Sequence, residues 1–236
     1  MALPLTRLQI LLNTELPASG TIGYIALIQN VTHTGTFTLD FGTDLITLAT
    51  TPVVPLATGC RVRISSSGTL PGVNGTTLSN TTDYFWRVST ATTGKLYRTL
   101  LDAQNDTNAI DFSNSGTGTL TFTEQALNGS TANPDPLNVV LSKELPSGGG
   151  YTQRIAMTDL GNAAIVNNGV EKNISFTLTG DSTGYTFRYY QLIIGGLQTI
   201  GNTTGTQSFL VAESTNKTVN SGNPNYTLIT PRLTSP

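Results

Sequence analysis

Chemistry in this chain has few side chains to draw on: one histidine, one cysteine, 14 acidic and 12 basic residues among 236. His33 sits in Thr32-His33-Thr34-Gly35. With no second His, Cys or acidic cluster beside it, three or four metal ligands cannot be assembled, and the context reads as a solvent-exposed turn. Cys60 adjoins Arg61, whose charge would favour a thiolate, but a lone cysteine opening an apolar strand reads as a small buried hydrophobe. No Gly-x-Ser-x-Gly elbow flanks a serine, so a nucleophile-and-base arrangement has no sequence signature. Asp102, Asp106 and Asp111 cluster in sequence, and glycosidase chemistry would need two carboxylates held at a set separation in space, which clustering in sequence does not supply. Asp106, within Gln-Asn-Asp-Thr, reads instead as a turn former. Tyr84 and Trp86 share a strand face with Val88 and could stack on a sugar, although period-two aromatics usually fill a core. Gly148-Gly149-Gly150 and Gly195-Gly196 do not lead from a strand into a helix, as a phosphate cradle would, and read as hairpin or bulge devices. The residues therefore point to a protein without catalytic, metal or cofactor sites.

Composition narrows the class further. Charged residues are 11% of the chain, against about 25% in an ordinary soluble domain. Thr, Ser, Asn and 24 Gly fill their place. A charge-laced helical bundle is excluded, and a net charge of -2 with 37% hydrophobic residues gives no self-repulsion to resist collapse. The basic residues are scattered and form no stripe for a phosphate backbone, so nucleic acid is not an expected partner. No run of about 18 apolar residues offers a membrane span, and the first residues lack the basic region of a signal peptide. With one cysteine and no internal disulfide, synthesis inside the cell is expected.

The elements that would hold these residues are strands. Phe37, Leu39 and Phe41 alternate with Thr36, Thr38 and Asp40; Val62 and Ile64 with Arg61 and Arg63; Ile174, Phe176 and Leu178 with Ser175, Thr177 and Thr179. Helical spacing is confined to Leu100-Leu101-Asp102-Ala103-Gln104-Asn105, one or two turns at most. The fold class is all-β: two sandwich or barrel-like domains with at most one short helix. Gly129 and two prolines interrupt the pattern between Ala126 and Pro136, which places a junction there, with domains at 1–128 and 129–236. An internal echo supports two copies: Leu12 to Gly20 resembles Leu141 to Gly148, each reading as a strand that enters a turn. The competing layout makes the middle an insertion within one sandwich built from both ends.

The middle also carries a resemblance. Gly59-Cys-Arg-Val62-Arg-Ile-Ser65-Ser-Ser-Gly68-Thr-Leu70-Pro71 comes first, then Thr82-Asp-Tyr84-Phe85-Trp86-Arg-Val88, Lys95-Leu96, Ala109-Ile110-Asp111-Phe112 and Gly116-Thr-Gly118-Thr-Leu-Thr-Phe122. In this order, over about 44–123, the pieces resemble a small β module of tailed-bacteriophage virion proteins: tail fibres, tail-tube appendages and capsid-surface proteins. Asp111 then belongs to a strand-turn signature. The chain departs from the pattern in a longer loop, Pro71 to Ser79, and in Trp86, where a smaller β-branched residue is usual. The resemblance implies a place in a virion, after synthesis in the host cytoplasm.

Low charge and the lack of a catalytic constellation favour a capsid cement or decoration protein gripping the major capsid protein through β-edge and apolar contacts. A tail, neck or baseplate component and a glycan-binding tail-tip protein are the alternatives. Segments apolar on both faces are either central strands or are covered by a neighbour, which makes a homo-oligomer the expectation. The candidate interface residues are Leu8, Ile10 and Leu12 near the amino terminus, Ile22, Tyr24, Ile25 and Leu27, and Tyr189, Tyr190, Leu192 and Ile194.

Overall fold

A computed structural model describes residues 23–74, 76–128, 135–157, 164–166, 169–171, 175–222, 226–229 and 233–234. The chain divides into two compact units: Asn30–Lys143, and Met1–Gln29 together with Glu144–Pro236. We call them the barrel unit and the split unit.

The first strand, β1 (Gly23–Ile28), belongs to the split unit. The barrel unit follows with β2 (Thr34–Asp40), β3 (Leu45–Leu48), β4 (Arg61–Ser66), β5 (Gly72–Val73), β6 (Thr76–Thr77), β7 (Tyr84–Val88), β8 (Thr93–Tyr97), helix α1 (Leu100–Asn105), β9 (Leu120–Glu124) and helix α2 (Leu137–Leu141). Six of these strands close into an antiparallel barrel in the order β2-β3-β8-β7-β4-β9, which leaves no sheet edge within the ring. Alternation fills it: Phe37, Leu39, Val62, Ile64, Tyr84, Trp86, Leu96 and Phe122 are all buried in one core. Phe41 breaks its expected alternation because β2 ends at Asp40, and its ring is half exposed in the turn. The long loop Pro71 to Ser79 forms the small hairpin β5–β6, with Asn74 at a positive φ of 44° in the turn.

Helix α1 occupies the span expected of it. Thr99 caps its amino end by accepting from the Asp102 N–H, and Arg87 Nη1 donates to the carbonyls of Ala103 and Gln104 at the other. Helix α2 is a second short helix, which corrects the limit of one helix that the sequence pattern sets. Pro136 precedes its first turn, and Val139, Val140 and Leu141 are buried.

The split unit resumes with β10 (Ile155–Met157), β11 (Ala164–Val166), β12 (Gly169–Glu171), β13 (Ser175–Leu178), β14 (Tyr185–Ile194), β15 (Thr206–Val219), β16 (Tyr226–Ile229) and β17 (Leu233–Thr234). Its largest sheet runs β10-β1-β14-β15, beside a three-stranded sheet β11-β12-β17 and the pair β13-β16. In β15 the pairing with β14 skips from Lys217 opposite Phe187 to Ala212 opposite Tyr189, so four residues, Glu213 to Asn216, bulge against one. The bulge brings Glu213 to 3.8 Å from Lys217, and it blunts a long edge strand.

The arrangement is nested rather than consecutive, which corrects the 1–128 and 129–236 division. Burial and pairing give the reason. Strand β1 pairs with β10 and β14, elements of the carboxy-terminal part, while Val139 lies past the expected junction and joins the barrel core. The Leu141 to Gly148 echo is also corrected, for it leaves a helix rather than a strand. Its partner, Leu12 to Gly20, lies outside the described residues.

Candidate functional site

The motifs between Gly59 and Phe122 are accounted for by barrel construction. Ser65-Ser-Ser-Gly68 and Gly116-Thr-Gly118-Thr lock against each other. Ser67 N–H donates to the Thr119 carbonyl, Thr119 N–H to Ser67 Oγ, Thr117 N–H to the Thr69 carbonyl and Thr69 N–H to Thr117 Oγ1. Gly118 has φ 77°, and a Cβ there would lie 2.5 Å from Gly68 N. Only glycine permits that approach. Ile110 and Phe112 are buried while Asp111 between them is exposed. Asp83 of the Thr82-Asp83-Tyr84 piece receives Arg61 Nη1 at 3.1 Å and Arg63 Nε at 2.6 Å. Tyr84 and Trp86 are core residues, with Trp86 edge-on to Phe122 at 5.1 Å, so they form no sugar platform.

The three clustered aspartates also have structural tasks or none. Hydrogen bonds from Thr99 and Asn108 hold the Asp102 carboxyl below its ordinary range. Asp106 closes α1 in a left-handed conformation, φ 58°, and receives Tyr97 Oη and Arg87 Nε. Cys60 is buried, and burial pushes its thiol up, as expected of a packing cysteine. His33 is not a solvent-exposed turn residue. It is half-buried, its ring lies 6.1 Å from Phe122, and its Nε2 is shielded from solvent without a hydrogen-bond partner. Desolvation lowers its pKa against a smaller opposing effect of Glu124.

The candidate interface residues are used internally. Strands β1 and β14 are neighbours at the centre of the four-stranded sheet, pairing Tyr24 with Ile193, Ile25 with Leu192, Leu27 with Tyr190 and Ile28 with Tyr189. Ile25, Leu27, Tyr189, Tyr190 and Leu192 are buried by the chain itself; only Tyr24 and Ile194 are half-buried. Their two-faced apolarity is that of central strands, which corrects their reading as a contact surface and removes its support for an oligomer. Leu8, Ile10, Leu12 and Ile22 lie outside the described residues.

What sequence reasoning missed is a pair of buried ionic clusters. In the barrel unit, Lys143 Nζ lies 2.7 Å from Glu124 Oε1 and also donates to the Val31 carbonyl, while Glu124 Oε2 accepts the His33 N–H. In the split unit, Glu144 takes Arg154 as a two-pronged partner, Nε to Oε1 at 2.7 Å and Nη2 to Oε2 at 2.6 Å. Tyr151 Oη and the Gly201 N–H complete the carboxylate's shell. Arg154 spends further protons on the carbonyls of Asn202 and Leu197. The available signal was scarcity: where charges are 11% of residues, two consecutive ones among apolar neighbours ask for a reason.

Beside the second cluster lies a cleft of about 260 Å³, bordered by the segment Gly150 to Ala156 and by Leu178, Thr179, Tyr185 and Gln198. Gln198 fixes that wall by exchanging two hydrogen bonds with the Arg154 backbone. Tyr151 and Tyr185 meet at 5.9 Å and 52°, and desolvation pushes the Tyr185 hydroxyl up to about 12. The cleft offers an aromatic wall and neutral polar groups, with its cation already neutralised. Among the described residues no group of three or more His, Cys, Asp or Glu could hold a metal ion, and no helix is long and apolar enough to cross a membrane. No protein-family model, curated protein or solved structure matches this chain.

Proposed function

We propose that this protein is a structural component of a tailed-phage virion, first as a capsid cement or decoration protein bound to the major capsid protein, with a tail or neck position as the alternative. The observation that carries the reading is containment. The stretch resembling virion modules, about 44–123, falls wholly within the unit Asn30–Lys143, which holds the closed barrel and is inserted in sequence into the split unit, and it supplies five of the six barrel strands. A module that recurs among particle proteins would behave in this way, as a self-contained core joined to its host through two nearby chain crossings.

The assigned ionic groups add support, since His33, Cys60, Asp102, Asp106, Glu124, Lys143, Glu144 and Arg154 all serve caps, packing or internal ion pairs. Adhesion then falls to surfaces other than β1 and β14. Among the described residues of the barrel unit, Val53, 93% exposed in a proline-flanked loop, Leu101 on α1 and the half-exposed Phe41 are the large apolar side chains available. Many copies on one lattice make weak contacts sufficient, because each later contact sees a high effective concentration of partner.

Quantitative mass spectrometry of purified particles from the phage that encodes the chain tests the reading. Hundreds of copies per particle place it on the capsid, and roughly six to twelve place it in a neck or tail ring. Its absence from particles that carry their full set of structural proteins overturns the proposal.

A further inference from the structure

The cleft of the split unit presents recognition groups that the fold does not use. Arg154 cannot serve a ligand as a free cation, because Glu144 neutralises it and four of its five N–H groups are held by that carboxylate and two carbonyls. Thr152 and Gln153 stand exposed on the rim and make no hydrogen bond to the described residues; Thr179 is exposed on the facing wall. Tyr185 is half-buried beside them, its ring 5.9 Å from that of Tyr151 and tilted 52° to it, and its hydroxyl has no hydrogen-bond partner among the described residues.

We propose that this cleft is a binding site for a neutral saccharide, with Tyr185 stacking on a sugar ring and Gln153 and Thr152 hydrogen-bonding its hydroxyls. Each part of the ligand class follows from a feature of the cleft. An anionic ligand would find no unpaired cation in the cleft, and a purely apolar one would cover an amide and three hydroxyls without bonding them. A pyranose matches both kinds of surface, since its C–H face lies against an aromatic ring while its edge carries donors and acceptors. The volume, about 260 Å³, lies just under the range of about 300–1,000 Å³ for sites that enclose drug-sized ligands, which limits the occupant to one or two rings. So small a contact gives affinities in the range of about 1 mM, useful only when copies act together. The proposal holds wherever in a particle the chain sits.

Saturation-transfer NMR on the full chain tests it with malto-, cello-, manno- and chito-oligosaccharides as neutral probes and oligogalacturonate as the anionic one. At least one neutral probe should receive saturation, with binding weakened about ten-fold by Tyr185→Ala and several-fold by Gln153→Ala. Gln153 is exposed, so its variant tests the site even if Tyr185→Ala disturbs the sheet. Three results would overturn the proposal: no saturation transfer to any neutral probe at about 10 mM, equal binding by both variants, or preference for oligogalacturonate.

Discussion

Lys143 and Glu144 are consecutive residues that bury opposite charges in different units. The ammonium of Lys143 meets Glu124 of β9 in the barrel unit, and the carboxylate of Glu144 meets Arg154 in the split unit. The chain passes from one unit to the other at that peptide bond, with each side tied down by an ion pair. Moving either residue outward by a slip in register would strand the charge it pairs with. Such a penalty fixes position even where the net energy of a buried pair is small.

Removing one partner should therefore cost far more than removing both. Arg154→Met leaves the Glu144 carboxylate buried without its cation and should destabilise the split unit by about 3–5 kcal/mol. The double variant Glu144→Leu, Arg154→Met should recover part of this loss. It will not recover all, because Tyr151 Oη and the Gly201 N–H lose their acceptor. Urea unfolding followed by tyrosine fluorescence measures both.

The barrel core has its own reporter. Trp86 is the only tryptophan, it is buried, and it sits edge-on to Phe122 at 5.1 Å. Its emission should be blue-shifted and should follow unfolding of the barrel unit alone. Phe122→Ala should lower that transition by about 3–5 kcal/mol through the cavity it leaves. A tryptophan spectrum resembling that of free indole in water would refute the packing described.

The strands and α1 were legible because their signals are local. Val62 and Ile64 alternate with two arginines, and helical spacing is confined to Leu100 to Asn105. Nesting was legible only as one of two layouts. Proline and glycine between Ala126 and Pro136 signal a break in the strand pattern, but which core a segment joins depends on contacts distant in sequence, such as Arg61 with Asp135 or Ile25 with Leu192. The two-faced segments posed a similar ambiguity, for central burial and burial against a partner leave the same apolar pattern. Glu144 and Arg154 were missed because ten residues separate them and no period joins them.

Acid should weaken the barrel through His33. Burial lowers its pKa from the ordinary 6.5, so between that value and the lower folded one the unfolded chain binds more protons than the folded one. Stability then rises with pH through this window, is fully present above 6.5, and is lost as the pH falls below it. His33→Phe, which keeps a ring against Phe122 and removes the titration, should flatten this part of the tryptophan-detected stability profile. An unchanged slope would assign the acid sensitivity to other groups.

Cys60 should be inert in the folded protein. Its thiol is held up by burial and, less strongly, by the negative charge of Glu124, with Lys143 acting in the opposite direction. A disulfide reagent at about pH 8 should leave it untouched until denaturant is added, then react with one equivalent. Rapid labelling of the native chain would show that the amino end of β4 opens readily.

The nested layout makes the strongest claim on folding, because it requires the middle of the chain to hold a complete core. Residues Asn30–Lys143 contain every strand of the closed barrel, both described helices, and the ion pairs of Arg61 with Asp135 and Lys143 with Glu124. Expressed alone, this segment should fold with the blue-shifted Trp86 emission of the full chain. A piece ending at residue 128 should be several kcal/mol less stable, because it loses Val139 from the core and leaves Glu124 buried without Lys143. If the shorter piece matched the longer one in a denaturant titration, α2 and the Lys143 pair would be dispensable and a boundary near residue 129 would be restored.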